Sequence, residues 1–230
     1  MYNLNDSINT AYSYIQSLRQ RGYKYLGTPV YNVTKDDLLE LSKVGAKYDI
    51  PFQWLFNLLK HESANTFSPA ITNSIGATGL IQFLPSTAKS LGTTTDELRK
   101  MTFKQQLVYV DKYLNANLKR HLINGKIPPT FTQGDIFMTI FYPVSVGKPN
   151  YQFPDSVKRA NAGISTPLDY VEKALKNSVF PLTVVPYTLA DVKKKFEKVY
   201  EKGKVNWIPI TAIVLGLAGA LYFTIKKLKK

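Results

Sequence analysis

Apolar residues return at helical spacing through the middle of this chain, and proline, glycine and polar caps cut each run short. Leu38, Leu41, Val44 and Tyr48 form one stripe; Leu107, Val110, Leu114 and Leu118 form another. Thr34 stands where a cap belongs and Asp37 completes a capping-box pattern, so a helix begins there. Asp49-Ile50-Pro51 reads as a break and restart, with Pro51 at the first helical position of a segment reaching Glu62. Further helices are expected near Pro85 to Leu91, from Thr102 to Leu122 and over Pro167 to Lys176. Ile136 to Tyr142 is apolar and short, and its periodicity leaves helix and strand open until Pro143 ends it. Near the N-terminus, Ile8, Tyr12, Ile15 and Leu18 suit a short amphipathic helix, followed by Gly27, Thr28 and Pro29. The fold class is therefore mainly α.

Composition narrows the chemistry. The chain of 230 residues has no cysteine, which excludes disulfides, thiolate metal sites and a cysteine nucleophile. Its two histidines, His61 and His121, do not form an HExxH pattern, so no metal and no cofactor is expected. A formal charge of +14 points to an anionic partner. Ten lysines against three acids between Asp191 and Lys230 account for half of that excess. With no basic groove interleaved with aromatics elsewhere, nucleic acid is not an expected partner.

The C-terminal lysines flank Trp207 to Ile225, nineteen residues without a charge. As a helix it would reach roughly 28 Å, near the hydrocarbon thickness of a bilayer. A single transmembrane helix over 206–226 is expected, followed by a basic tail at 227–230, with lipid membrane as a partner. Ala212, Gly216 and Ala220 recur every fourth residue and suggest self-association through that helix. Before it, Val179 to Tyr187 reads as a linker, and Leu189, Val192, Phe196, Val199 and Tyr200 share one face of a basic amphipathic helix, both within 179–205. Four lysines follow the uncharged stretch and six lie between Lys193 and Lys204, so orientation in the membrane stays open. The organisation expected is an N-terminal extension over 1–33, a catalytic domain over 34–178, and these C-terminal parts. Met1 to Tyr25 carries no apolar run of the signal-peptide kind.

The informative residues lie at the end of the apolar segment. Leu55, Leu58 and Leu59 precede Glu62 by seven, four and three positions, so Glu62 closes their stripe. A carboxyl group dried by such neighbours holds its proton more tightly and can serve as a general acid near neutrality. Gly76-Ala77-Thr78-Gly79 then allows a tight turn and close backbone approach to a ligand, and Gln82 brings an amide before the next helix. Cleavage of a glycosidic bond needs an acid of this kind at the leaving oxygen. His61 is expected on another face and uninvolved.

Glu62-Ser63 and Gly79-Leu80-Ile81-Gln82, with Pro85-x-Thr87-Ala88 beyond, resemble the soluble lytic transglycosylase domain family. Ile81 stands where the family has methionine, and Ala64 to Pro69 makes the intervening loop slightly longer. The family's tyrosine signature is best matched by Phe141-Tyr142-Pro143, a variant with proline that resembles bacteriophage members. The resemblance covers about Lys35 to Val179. It implies a lysozyme-like (α+β) domain acting on peptidoglycan, cleaving between N-acetylmuramic acid and N-acetylglucosamine with formation of a 1,6-anhydro ring. Glu62 would be catalytic, Tyr142 would orient it, Gln82 would hold sugar, and Ser63, Gly79 and Leu80 would support the site. A hydrolytic muramidase of the same fold is the alternative if a second carboxylate, such as Asp111 or Asp135, folds close by; a silent, membrane-anchored structural protein of a virion is another. The resemblance to bacteriophage members suggests a virion enzyme for wall penetration, in a virion internal membrane or the host inner membrane.

Overall fold

A computed structural model describes residues 3–180 in full and, beyond them, the backbone of 210–214 and 221–225. Helix α1 (Leu4–Gln20) opens on Asn3, whose side chain accepts from the Asn5 backbone N–H at 2.8 Å. A minimal hairpin follows, β1 (Lys24–Tyr25) against β2 (Thr28–Pro29), turned by Leu26 and Gly27 at φ 48° and 77°. Then come α2 (Lys35–Ala46), α3 (Phe52–Glu62), α4 (Pro85–Ser90), α5 (Thr95–Lys100), α6 (Phe103–Leu118), α7 (Gln133–Phe141), α8 (Asp155–Ala160) and α9 (Pro167–Leu175).

Threonine sets most of the helix starts. The expected box at Thr34 and Asp37 is formed, each side chain bonding the other residue's backbone N–H. The same reciprocal arrangement opens α5 at Thr94, α6 at Thr102, α7 at Thr132 and α9 at Thr166. Each cap satisfies donors that the first helical turn leaves unpaired, and contributes about 1 kcal/mol. The open reading of 136–142 resolves as helix, because the Thr132–Asp135 box nucleates α7 ahead of the apolar run. Pro51 sits at the cap of α3 rather than in its first turn.

Helix α3 is the axis of the domain, packing against α1, α2, α7 and α9. Leu55, Phe56, Leu58 and Leu59 are wholly buried along it. Phe56 meets Phe67 at 5.1 Å and Phe180 at 5.6 Å between ring centroids. The N-terminal residues join the same core: Ile8, Ala11, Ile15, Leu18, Val30 and Val33 are all buried within it. The segment expected as an extension is thus packed on the helix that carries Glu62. Phe180, expected in a linker, is also buried, and its carbonyl accepts from Asn57 Nδ2 at 3.0 Å.

The expected membrane helix differs where its backbone is described. β3 (Ile210–Val214) pairs antiparallel with β4 (Leu221–Ile225), Ile210 opposite Ile225 and Ala212 opposite Phe223. Ile210, Thr211, Ile213, Val214, Thr224 and Ile225 are β-branched and Tyr222 and Phe223 aromatic, types that lose side-chain freedom in a helix and suit extended backbone. A helical small-residue face through Ala212 is accordingly not formed there. The rest of 206–226, the basic tail and the amphipathic helix expected before it lie outside the described residues. Among the described residues no helix is long and apolar enough to cross a membrane.

Candidate active site

Glu62 is the last residue of α3 and is half-buried. Burial pushes its carboxyl group up to about 7, while a hydrogen bond from Tyr170 works in the opposite direction. Near neutral pH such a group is shared between acid and carboxylate, which suits a residue that must give a proton and take one back.

The Tyr170 hydroxyl, from α9, donates to Glu62 Oε1 at 3.4 Å. Its ring is buried, stacked on Phe141 at 4.0 Å and edge-on to His61 at 5.6 Å. His61 Nε2 lies 3.2 Å from the same hydroxyl. His61 is therefore part of the site, contrary to the sequence expectation: Tyr170 lies between the directions of two consecutive helical side chains and meets both. Burial, with Lys60 and Lys173 adding to it, lowers His61 to about 4, so the ring is neutral. From α6, Tyr113 donates to the Thr139 carbonyl at 2.9 Å; burial and the charge of Glu62 raise it to about 12.

Tyr142, expected to orient Glu62, follows the end of α7 in extended conformation at φ −154°. Pro143 prevents the helix from continuing, and the Tyr142 ring packs with Tyr151 at 5.8 Å and Phe153 at 5.2 Å. The hydroxyl on Glu62 belongs to Tyr170 instead. Only a faint signal marked Tyr170: a tyrosine on the apolar face of a helix, sharing burial with Val171 and Leu175, needs a partner for its hydroxyl.

Ser63 is completely buried and works on the backbone. Its hydroxyl donates to the Leu59 carbonyl at 2.6 Å and accepts from the Phe67 N–H at 2.9 Å. It thus closes α3 and fixes a strained loop in which Ala64, Asn65 and Phe67 have φ of 47°, 66° and 50°. The N-terminal residues brace this loop: Tyr14 donates to Asn65 Oδ1 at 2.8 Å, Tyr23 to the Ala64 carbonyl at 3.1 Å. The strain is held directly after Glu62, so the braces also fix where α3 ends.

The glycine turn serves a neighbour inside the protein. Gly79 has φ +85°, and a Cβ there would stand 2.3 Å from Gln106 Oε1. Gln106, on α6, is wholly buried. It accepts from the Leu80 N–H at 2.7 Å and donates to the carbonyls of Pro69 at 3.1 Å and Leu98 at 3.0 Å. One amide thereby ties two parts of the connection between α3 and α4 to helix α5, and Gly79 is small to admit it; nothing in the sequence singled out Gln106. The Leu80 side chain is buried in the core. Gln82 takes φ +53° and its Nε2 donates to the Gly79 carbonyl at 3.1 Å, holding the turn on which it sits.

Part of this arrangement lies in a stretch of chain with a counterpart among known families. Residues 41–120 match the Transglycosylase SLT domain family. No curated protein and no solved structure gives a significant match. The SLT segment contains Glu62, Ser63, the Gly79–Gln82 turn, Gln106 and Tyr113, while Tyr142 and Tyr170 lie beyond it.

Five other acids among the described residues have partners of their own. Asp111 pairs with Lys47 and accepts from the Tyr48 hydroxyl at 2.8 Å. Asp135 caps α7 and accepts from the Gly147 N–H at 2.6 Å. Asp49 pairs with Lys126 at 3.1 Å, Asp96 with Arg99, and Glu97 caps α5. Among the described residues no cluster of three or more histidine, aspartate and glutamate side chains is placed to hold a metal ion.

Proposed function

We propose that this protein is a peptidoglycan lytic transglycosylase of lysozyme-like fold, with Glu62 as its acid and base. The observation that carries the reading is a dried carboxyl group at the end of α3, bonded by Tyr170 and held within the SLT segment. Protonated Glu62 gives its proton to the glycosidic oxygen as the bond to the muramic anomeric carbon breaks. The carboxylate then takes the proton of the muramic 6-hydroxyl while that oxygen bonds to the anomeric carbon, so no water is consumed and Glu62 is regenerated as the acid. One carboxyl group serves both steps. The engagement of Asp111 and Asp135 elsewhere favours this over a two-carboxylate hydrolysis, which sets its acids roughly 5–9.5 Å apart.

Gln82 and Tyr142 are proposed to contact the sugar, and Ser63, Gly79 and Leu80 to hold the site's geometry. The uncharged stretch Trp207–Ile225 between lysines supports association with an anionic membrane, and we place the enzyme in a bacteriophage particle acting on the host wall. Zymography on peptidoglycan tests the activity: clearing by the wild type and none by Glu62→Gln is expected, and equal clearing by both contradicts it. Flotation with anionic vesicles tests the membrane part; a full chain that stays at the bottom of the gradient rejects it.

A further inference from the structure

We infer that His61 is a positioning residue that acts through Tyr170, its neutral ring supplying a donor or an acceptor so that the Tyr170 hydroxyl fits either protonation state of Glu62. This rests on the reading of Glu62 as proton donor and adds how the site accommodates both of its forms.

The argument is one of hydrogen-bond inventory. Tyr170 has a single hydroxyl proton and two polar neighbours, Glu62 Oε1 at 3.4 Å and His61 Nε2 at 3.2 Å. Ionised Glu62 only accepts, so Tyr170 must donate to it and His61 must present Nε2–H to the Tyr170 oxygen. Protonated Glu62 has a proton to donate; it bonds the Tyr170 oxygen, and the tyrosine proton turns to a bare Nε2. In that state the ring carries its proton on Nδ1. Between the two, Nδ1 loses one proton to solvent and Nε2 gains one, or the reverse, and the ring stays neutral throughout. His61 is half-buried, which leaves solvent a route to it.

The surroundings hold the ring in this neutral condition. Lys60 on its own helix and Lys173 on α9 both oppose a positive charge there, and burial opposes it more strongly. From α7 the ring meets Phe137 at 5.8 Å, which carries no charge. Glu62 itself is faced by the neutral hydroxyls of Tyr170 and Tyr113.

Replacing His61 by phenylalanine keeps a ring in place and removes the nitrogen. The protonated form of Glu62 then leaves one hydroxyl proton unmatched, whereas the ionised form leaves only an oxygen lone pair, so the acid form loses more. The alkaline limb of the pH–rate profile should move down by about one pH unit in His61→Phe. A packing role alone would lower activity with the midpoint unmoved, and that result overturns the inference. Nitrogen NMR of the wild-type full chain provides a second readout that needs neither a variant nor turnover. His61 is expected to carry its proton on Nδ1 below the Glu62 titration and on Nε2 above it, and Glu62→Gln, which has no carboxyl group to titrate, should keep one tautomer across the same range. One tautomer on both sides of the titration, or a charged ring, refutes the inference. An active Glu62→Gln enzyme would instead refute the catalytic reading, so the two failures are distinguishable.

Discussion

Replacing Glu62 by glutamine should stabilise the folded chain at alkaline pH while removing its chemistry. The carboxyl group sits at about 7 in the folded state against an ordinary 4.5, with burial as the main cause. That gap, at about 1.4 kcal/mol per pH unit, corresponds to about 3 kcal/mol. The direction follows from proton binding: folding raises the affinity, so the folded chain holds the proton where the unfolded chain has released it. The site costs nothing below 4.5, opposes folding increasingly as pH rises, and reaches its full cost above 7. Glutamine has similar shape and no charge to bury. Urea denaturation of both proteins from about pH 4 to about pH 8 should therefore show a stability difference that starts near zero and grows to about 3 kcal/mol in favour of Glu62→Gln. For a domain of this size the alkaline difference corresponds to a rise in melting temperature of roughly 6–12 °C. A difference independent of pH, or a variant less stable at alkaline pH, would show that the carboxyl group is well hydrated and the reasoning wrong.

Other substitutions probe the supports of the site. Tyr170→Phe removes the hydrogen bond that lowers Glu62, so the alkaline limb of activity should move upward, opposite to the shift expected for His61→Phe; a pH–rate profile checks the sign. Gly79→Ala places a methyl group against Gln106 at a left-handed φ and should cost about 2–4 kcal/mol in a thermal or urea melt. Ser63→Ala deletes two buried hydrogen bonds at the end of α3 and should cost about 1–3 kcal/mol, with a loss of activity because Glu62 is less firmly placed. By contrast, Tyr142→Phe should leave the pH midpoint unchanged, since the Glu62 hydrogen bond comes from Tyr170.

Helix positions were legible wherever a local signal fixed them. Thr34 with Asp37 announced α2, and the stripe of Leu107, Val110, Leu114 and Leu118 announced α6. Glu62 was legible because its burial follows from spacing along a single helix. What the sequence concealed are contacts between distant segments. Tyr170 reaches Glu62 across more than a hundred residues, and Gln106 reaches Leu80 from another helix; no periodicity encodes either meeting. Gly79 shows the same limit from the other side: its need for a small residue was readable, but the neighbour responsible is a buried amide rather than a ligand. His61 was misplaced because adjacent helical residues diverge in direction, and a single large partner bridges that divergence. Over 210–225, hydrophobicity and length suggested a helix, while β-branched and aromatic residues at the two ends form paired strands.

The most direct test of the account is mass spectrometry of the fragments released from purified peptidoglycan by the wild type and by Glu62→Gln. A single carboxyl group that returns its proton through the muramic 6-hydroxyl should yield fragments ending in anhydro-muramic acid, lighter by one water than reducing ends, from the wild type alone. Reducing ends from the wild type, or anhydro ends from Glu62→Gln, would contradict it.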